Sequence, residues 1–272
     1  MKTVLMIAGT DPLEGAGVIA DGRVAAVHGA FSITLETALV DQDTLGVHGF
    51  ESASPGGFAR RLRRILENGG VDAVKIGMTG SPALVEVIAQ ELARWRSEVG
   101  GPVVLDPVLA SGAADGASLA RGEMAQALRS LLPLTTIVTP NARELAVLSA
   151  AVDVAESHDQ ASEQARSLLD AGAESVLVKG GHLEPQGVDW LVREGSRVVV
   201  HAGAPWGVDV HGTGCHLSTA IACRLVRGES LEAACRGASR WLHGLVHAGA
   251  LVRRGPGRPQ FDPRRLGDGL AL

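Results

Sequence analysis

Five consecutive residues, His211-Gly212-Thr213-Gly214-Cys215, carry the sharpest chemical pattern in the chain. They run straight into an apolar helical stretch with Leu217, Ala220 and Ile221. Glycines at a helix start let the backbone approach a ligand, and the unpaired N–H groups of the first turn, at the positive end of the dipole, cradle an anion. Cys215 falls on that turn, where a thiol is expected to have its pKa lowered toward neutrality. A glycine-rich helix cap with a small buried cysteine accounts for the same residues. Three other patterns point elsewhere. Gly15-Ala16-Gly17-Val18-Ile19-Ala20 matches the G-x-G-x-x-G/A dinucleotide fingerprint, with Asp41 at about the spacing of the ribose acid. Residues 10–14 separate those glycines from the preceding strand, which argues against a dinucleotide site. No G-x-x-x-x-G-K-S/T occurs, so a P-loop is excluded. His243 and His247 have chelating helical spacing but lack the Glu of H-E-x-x-H, and read as an ordinary helix-face pair.

These residues need elements to hold them. Apolar runs at 3–8, 33–40, 73–78, 103–105, 136–138 and 176–178 read as buried strands. Helical spacing at 57–67, 83–96 and 160–171 alternates with them, and the chain from Gly214 onward reads as helices. That alternation predicts an α/β fold with a mostly parallel sheet covered on both faces. Strand-like residues 190–193 and 197–201 flank Glu194-Gly195-Ser196, which predicts a hairpin and an antiparallel edge. In such sheets ligands bind beyond the carboxyl ends of the strands. Each of those ends carries polar or charged residues: Thr10 and Asp11, Asp41 and Gln42, Asp106, Asn141 and Lys179; Lys75 lies within its own run. The small-residue loop at 110–118 is too short to divide domains, so one domain over 1–272 is expected.

Composition removes other classes. The 272 residues carry a net charge of −5, which leaves no basic footprint for nucleic acid. No apolar run reaches the ~18–20 residues of a membrane span, and the opening residues read as a strand rather than a signal peptide, so a cytoplasmic protein is expected. Three cysteines with no C-x-x-C argue against a disulfide framework and a structural zinc site. Glycine is abundant at 35 residues, tyrosine is absent, and only Lys2, Lys75 and Lys179 are lysines against 22 arginines.

Eight segments, in order, resemble the ribokinase-like superfamily and, within it, the hydroxymethylpyrimidine/phosphomethylpyrimidine kinases of thiamine biosynthesis. They are Ala8-Gly9-Thr10-Asp11-Pro12, Gly15-Ala16-Gly17, Thr37-Ala38-Leu39-Val40 with Gln42, Lys75-Ile76-Gly77-Met78, Asp106-Pro107-Val108, Thr139-Pro140-Asn141 with Glu144, Lys179-Gly180-Gly181-His182, and His211 to Cys215. The resemblance implies a three-layer α/β/α sandwich and phosphoryl transfer from MgATP to the pyrimidine's hydroxymethyl oxygen, then to the monophosphate. It places Gln42, Gly9, Ala16, Val40, Met78 and Val108 at the pyrimidine. It places Lys179, Asn141 and Asp106 at ATP, with Asn141 and Glu144 organising Mg2+. Gly212, Thr213 and Gly214 would stabilise the transferring group, and Cys215 stands where a base would take the hydroxyl proton. Asp11 reads as a cap or turn residue. Relatives of this kind are often homodimers, and no segment here fixes an interface.

This chain departs from the family pattern at Leu13-Glu14, at Ile19, in the shorter loop after Val108, and in lacking an arginine near Leu45-Gly46-Val47. A Glu14 carboxylate facing an incoming phosphate would oppose the second transfer unless it points away. Two other readings stay open at this stage: a pyridoxal kinase of the same group, and a non-catalytic pyrimidine-binding protein. Lys75 has no role that the residue pattern assigns.

Overall fold

Strictly apolar strands require both faces of a sheet to be covered, and the computed structural model has that architecture; it describes residues 1–109, 117–180, 183, 186–203 and 206–271. The parallel strands are β1 (Thr3–Ala8), β2 (Phe31–Glu36), β5 (Ala73–Ile76), β6 (Val103–Leu105), β7 (Ile137–Val138) and β8 (Val176–Val178). β9 (Val188–Arg193) and β10 (Ser196–Ala202) form the expected hairpin, and β9 lies antiparallel against β8. The strand order is β2-β1-β5-β6-β7-β8-β9-β10.

Alternation along the strands divides the core in two. Leu5, Ile7, Val74, Ile76, Val103 and Leu105 face one layer, with α2 (Pro55–Glu67), α3 (Pro82–Val99), α4 (Ala117–Arg129), α5 (Ala142–Ser149) and α6 (His158–Asp170). Val4, Met6, Ala73, Val104 and Leu177 face α1 (Gly17–Val27), α7 (Thr213–Val226) and α8 (Leu231–His247). Local signals set the helix ends. Ser81 caps α3 and Pro82 opens it, and Gly100 closes it in the left-handed region. Ser157 and Gln160 form a capping box on α6.

The sequence reading of one strand over 33–40 is corrected. β2 stops at Glu36, and a separate strand, β3 (Ala38–Gln42), leaves the sheet to pair antiparallel with β4 (Val47–Ser52), a strand the reading missed. The break is built at Thr37. Its N–H donates to Ala8 O at 3.0 Å and its hydroxyl donates to Met78 O at 2.6 Å, while its carbonyl accepts from Ala53 N at 2.8 Å. The β3–β4 flap rises from the strand ends with Leu39 and Phe50 exposed. A short pairing of Leu251–Val252 with Gln260–Phe261 also interrupts the helical last third. The Gly181-His182 pair and residues 110–116 of the small-residue loop lie outside the described residues. No helix among the described residues is long and apolar enough to cross a membrane.

Trp241 is the largest buried side chain of the second layer, and its indole donates to Leu266 O at 3.0 Å. His28 meets its ring edge-on at 4.7 Å, and His216 lies 6.3 Å away. Burial pushes both imidazoles down to about 4, aided at His28 by Arg224 and Arg227. Both are therefore neutral in the fold. Unfolded histidine protonates near 6.5, so below that pH the unfolded chain binds more protons. The stabilisation is complete above pH 6.5 and is lost as pH falls toward 4. Each ring should cost about 2 kcal/mol of stability at pH 5, from 1.36 kcal/mol per pH unit. Guanidinium midpoints at pH 7.5 and 5.0, with imidazole NMR titrations, check this; either ring titrating near 6.5 would contradict it.

Candidate active site

The first turn of α7 faces the carboxyl ends of the sheet. Gly212 caps it at φ +84°, a left-handed conformation, and a methyl group there would land on the carbonyl oxygen of Gly15. Only glycine fits both demands. The two glycine segments singled out in the sequence thus touch through backbone. Gly17 starts α1 at φ +65°, with no room for a Cβ beside Gly9 O. These glycines are steric requirements of a loop folded over a helix start.

Asp11 fastens that loop. Its carboxylate, 2 % exposed, accepts from the N–H groups of Leu13 (2.8 Å), Gly15 (3.0 Å) and Ala16 (2.9 Å). It also meets His211 Nε2 at 2.9 Å and the side chain of Gln42. Burial alone would raise its pKa; the His211, Gln42 and Leu13 bonds outweigh burial and lower it. Gln260 completes the seam by donating to Leu13 O at 3.0 Å. The structural role read for Asp11 is what the geometry shows. Gln260 was missed, since it is 247 residues away and in no motif.

Beyond the cradle four of the expected residues converge. A methyl on Gly214 would lie 3.2 Å from Asp106 Oδ2 and 3.3 Å from Lys179 Nζ. Lys179 Nζ lies 3.5 Å from Asp106 and 4.0 Å from Glu144. Burial opposes the charge on Lys179, but Asp106, Glu144 and Cys215 outweigh it and raise its pKa. Glu144 is raised, by burial first and by Asp106. Asp106 also receives the Thr139 hydroxyl at 3.3 Å and the Ser218 hydroxyl at 3.5 Å. Asn141 and Glu144 form a capping box at the start of α5. Asn141 Oδ1 accepts from Arg143 N and Glu144 N, and Glu144 Oε2 accepts from Asn141 N at 2.8 Å. The side-chain oxygen of Asn141 is thereby committed to the backbone, and the backbone N–H of Asn141 holds the carboxylate that reaches Lys179.

Cys215 corrects an expectation. Burial pushes its thiol up to about 12; Lys75 and the Gly17 amide pull it down, and Asp106 and Asp21 add to the rise. The dipole of the helix start does not outweigh removal from water. Cys215 therefore carries its proton at neutral pH.

A second group lies under the flap. A methyl on Gly9 would lie 3.2 Å from Val40 Cγ2 and 3.3 Å from Met78 Sδ, so these three residues adjoin. Gln42 ends β3 beside Asp11, and Ala16 caps α1. Val108 is half-buried, its N–H bonded to Asp106 O at 2.8 Å. Phe50 pairs across the flap with Val40 and so shares its face; it sits on the strand the sequence reading did not find. Glu14 ion-pairs with Arg23 of α1. His243 accepts from Trp206 Nε1 at 2.8 Å, which agrees with a packing role.

This layered sheet, with a flap and a glycine-opened helix at its strand ends, defines the ribokinase-like class of small-molecule kinases. Residues 11–259 match the phosphomethylpyrimidine kinase family, and the chain belongs to it. It is similar to the hydroxymethylpyrimidine/phosphomethylpyrimidine kinase of Escherichia coli, at 37% identity over 93% of this chain and 94% of that one. It is 39% identical to the thiamine biosynthesis multifunctional protein ThiED of Corynebacterium efficiens over 95% of this chain, and spans about a third (34%) of that longer relative. An ADP complex of Bacillus subtilis pyridoxal kinase superposes with a TM-score of 0.85 at 27% identity, covering 100% of this chain and 99% of the other. The chain is accordingly a kinase.

Gly212→Ala should lower kcat by about a hundredfold, because it displaces the cradle by roughly an ångström. Gly214→Ala keeps helical geometry and should mainly raise the KM for ATP, since its methyl enters the space between Asp106 and Lys179. Steady-state kinetics of the two variants check this contrast; equal kcat losses would contradict it.

Proposed function

We propose that this kinase transfers the γ-phosphoryl group of ATP to the hydroxymethyl oxygen of 4-amino-5-hydroxymethyl-2-methylpyrimidine, and then to the resulting monophosphate, in thiamine diphosphate biosynthesis. The observation that carries this reading is the approach of Gly214 to both Asp106 and Lys179, next to a flap-covered group of Gly9, Val40, Met78 and Gln42. A glycine-opened helix start and a half-apolar group of side chains meet at one set of strand ends.

The parts divide the work by chemistry. Gln42 offers a donor and an acceptor to a ring nitrogen and its amino group. Gly9, Ala16, Val40, Met78 and Val108 leave room for a flat ring, and with no tyrosine in the chain the contacts are aliphatic and thioether. The amides of Thr213, Gly214 and Cys215 meet charge on the transferring group. Lys179 meets a phosphate as a point charge. Among the described residues no three His, Cys, Asp or Glu side chains gather into a metal cage. The donor set here is Glu144, with Oε1 left over from the capping box. That fits Mg2+, which takes few carboxylates and fills its remaining positions with water and phosphate. Glu144, fixed by Asn141, would hold the ion, which supplies neutralisation of phosphate charge. A protonated Cys215 can donate to an oxygen but cannot accept the hydroxyl proton. In a loose transfer that proton leaves late, and a phosphoryl oxygen of the product can take it.

The pairing of Glu14 with Arg23 offsets part of the carboxylate charge and so supports the second transfer. The close superposition on a pyridoxal kinase favours a second reading, in which pyridoxal is also accepted. A coupled ATPase assay on the pyrimidine alcohol, its monophosphate and pyridoxal separates these. The alcohol and the monophosphate should both turn over, with kcat/KM for the alcohol above that for pyridoxal. A preference for pyridoxal would overturn the substrate assignment, and pyrimidine binding without turnover would overturn the activity. Gln42→Ala should raise the pyrimidine KM by about tenfold or more, as expected for a lost buried hydrogen-bond pair, with kcat little changed. Unchanged affinity removes Gln42 from the site.

A further inference from the structure

Lys75 is the one charged residue inside an otherwise apolar central strand, and its placement follows from period two. Ala73 and Lys75 face the α1–α7 layer, whereas Val74 and Ile76 face the other. The side chain is fully buried. Its ammonium lies 2.7 Å from Asp21 Oδ2 of α1, and Asp21 is equally buried. The other oxygen of Asp21 accepts the Thr219 hydroxyl of α7 at 2.8 Å. A strand, α1 and α7 are thus joined by one carboxylate beneath the first turn of α7. A methyl on Gly77 would lie 3.0 Å from Lys75 Nζ, so backbone closes over the ammonium.

A buried ion pair is costly to desolvate and is weak evidence of a stabilising role. This one has a direction. An ammonium has three donors, and among the described residues one hydrogen bond, to Asp21, is made. Thr219 stands four residues, one helical turn, after Cys215 on α7, so its bond to Asp21 sets the ion pair on the face of α7 that carries the sulfur, where Lys75 lowers and Asp21 raises the thiol. Charge in a dry interior acts over several ångströms. Lys179 and Asp106 face the same cradle from β8 and β6, and the Gly17 amide faces Cys215 from α1.

We propose that Lys75 is a positioning residue for phosphoryl transfer: a buried cation, aimed by Asp21 and Thr219, that keeps positive potential behind the anion cradle and at Cys215 without touching either substrate. This rests on the kinase reading. It gives the second of the two internal lysines a function.

Lys75→Met alone would strand a buried carboxylate, so the test is the charge-balanced pair Lys75→Met with Asp21→Asn. Two readouts are taken. The first is the iodoacetamide alkylation rate of Cys215 at pH 9, followed by peptide mapping without substrates. With the potential removed, the thiolate fraction falls and the rate should drop threefold or more. A purely structural role loosens the site and makes the sulfur react faster. The second is kinetic: kcat should fall at least tenfold while the KM values for ATP and the pyrimidine stay within about threefold. Alkylation that is unchanged or faster overturns the proposal, as does an unchanged kcat. Should the double variant not fold, Thr219→Val keeps both charges and releases the aim of Asp21; it should slow alkylation and lower kcat in the same sense, and no change in either overturns the proposal. Failure of the kinase reading is seen separately, as absent turnover in the unaltered protein.

Discussion

The carboxylate of Asp11 is the junction on which the site depends. It gathers three amides of its own loop, the ring of His211 just before α7, and the side chain of Gln42 at the end of the flap. Removed from water, such a group is tolerable only when its lone pairs are filled. Filling them fixes the loop against the helix start. That in turn presses Gly15 onto Gly212, and leaves the first turn of α7 open toward the strand ends. The flap and the first turn of α7 are two sides of one hydrogen-bonded seam.

Charge is distributed with the same economy. The chain is acidic overall, yet its two internal lysines both stand behind or beside the cradle. Arginines serve the surface, in pairs such as Arg63 with Glu91 and Arg197 with Asp159. A planar guanidinium suits bidentate pairing, whereas an ammonium acts as a compact point charge. Buried Lys75 faces one carboxylate, Asp21, and half-buried Lys179 faces two, Asp106 and Glu144. With three carboxylates against two ammoniums positive charge is not in excess there, and the dipole of α7 supplies direction rather than bulk charge.

The apolar strands and the hairpin edge were legible from local spacing, as were Asp106 and Lys179 at strand ends and Gly214 at a helix start; Glu144, and the expectation that the four act together, came from the family resemblance. Four things were not. Residues 33–40 are evenly apolar, so nothing in periodicity marks the departure at Thr37; the hydroxyl bond to Met78 that makes it is tertiary. The state of Cys215 was read from the helix dipole, and burial proved the larger effect. The N-x-x-E pattern of Asn141 and Glu144 is also a helix-capping signature, and a capping box is what the two side chains form. A lone Asp on the apolar stripe of α1 and a lone Lys in a central strand were the visible signs of Lys75 and Asp21. Nothing local told that they meet.

The seam around Asp11 is closed by residues far along the chain. His211 lies 200 positions after Asp11, and Gln260 lies 247 after Leu13. At a synthesis rate of about 5–20 residues per second, the substrate loop waits on the order of ten seconds or more for the side chains that hold it. During translation the nascent polypeptide carries the complete motif of the first loop and no pocket. Ligand can then act on folding only at the last step, by capturing a chain whose sheet is already laid down.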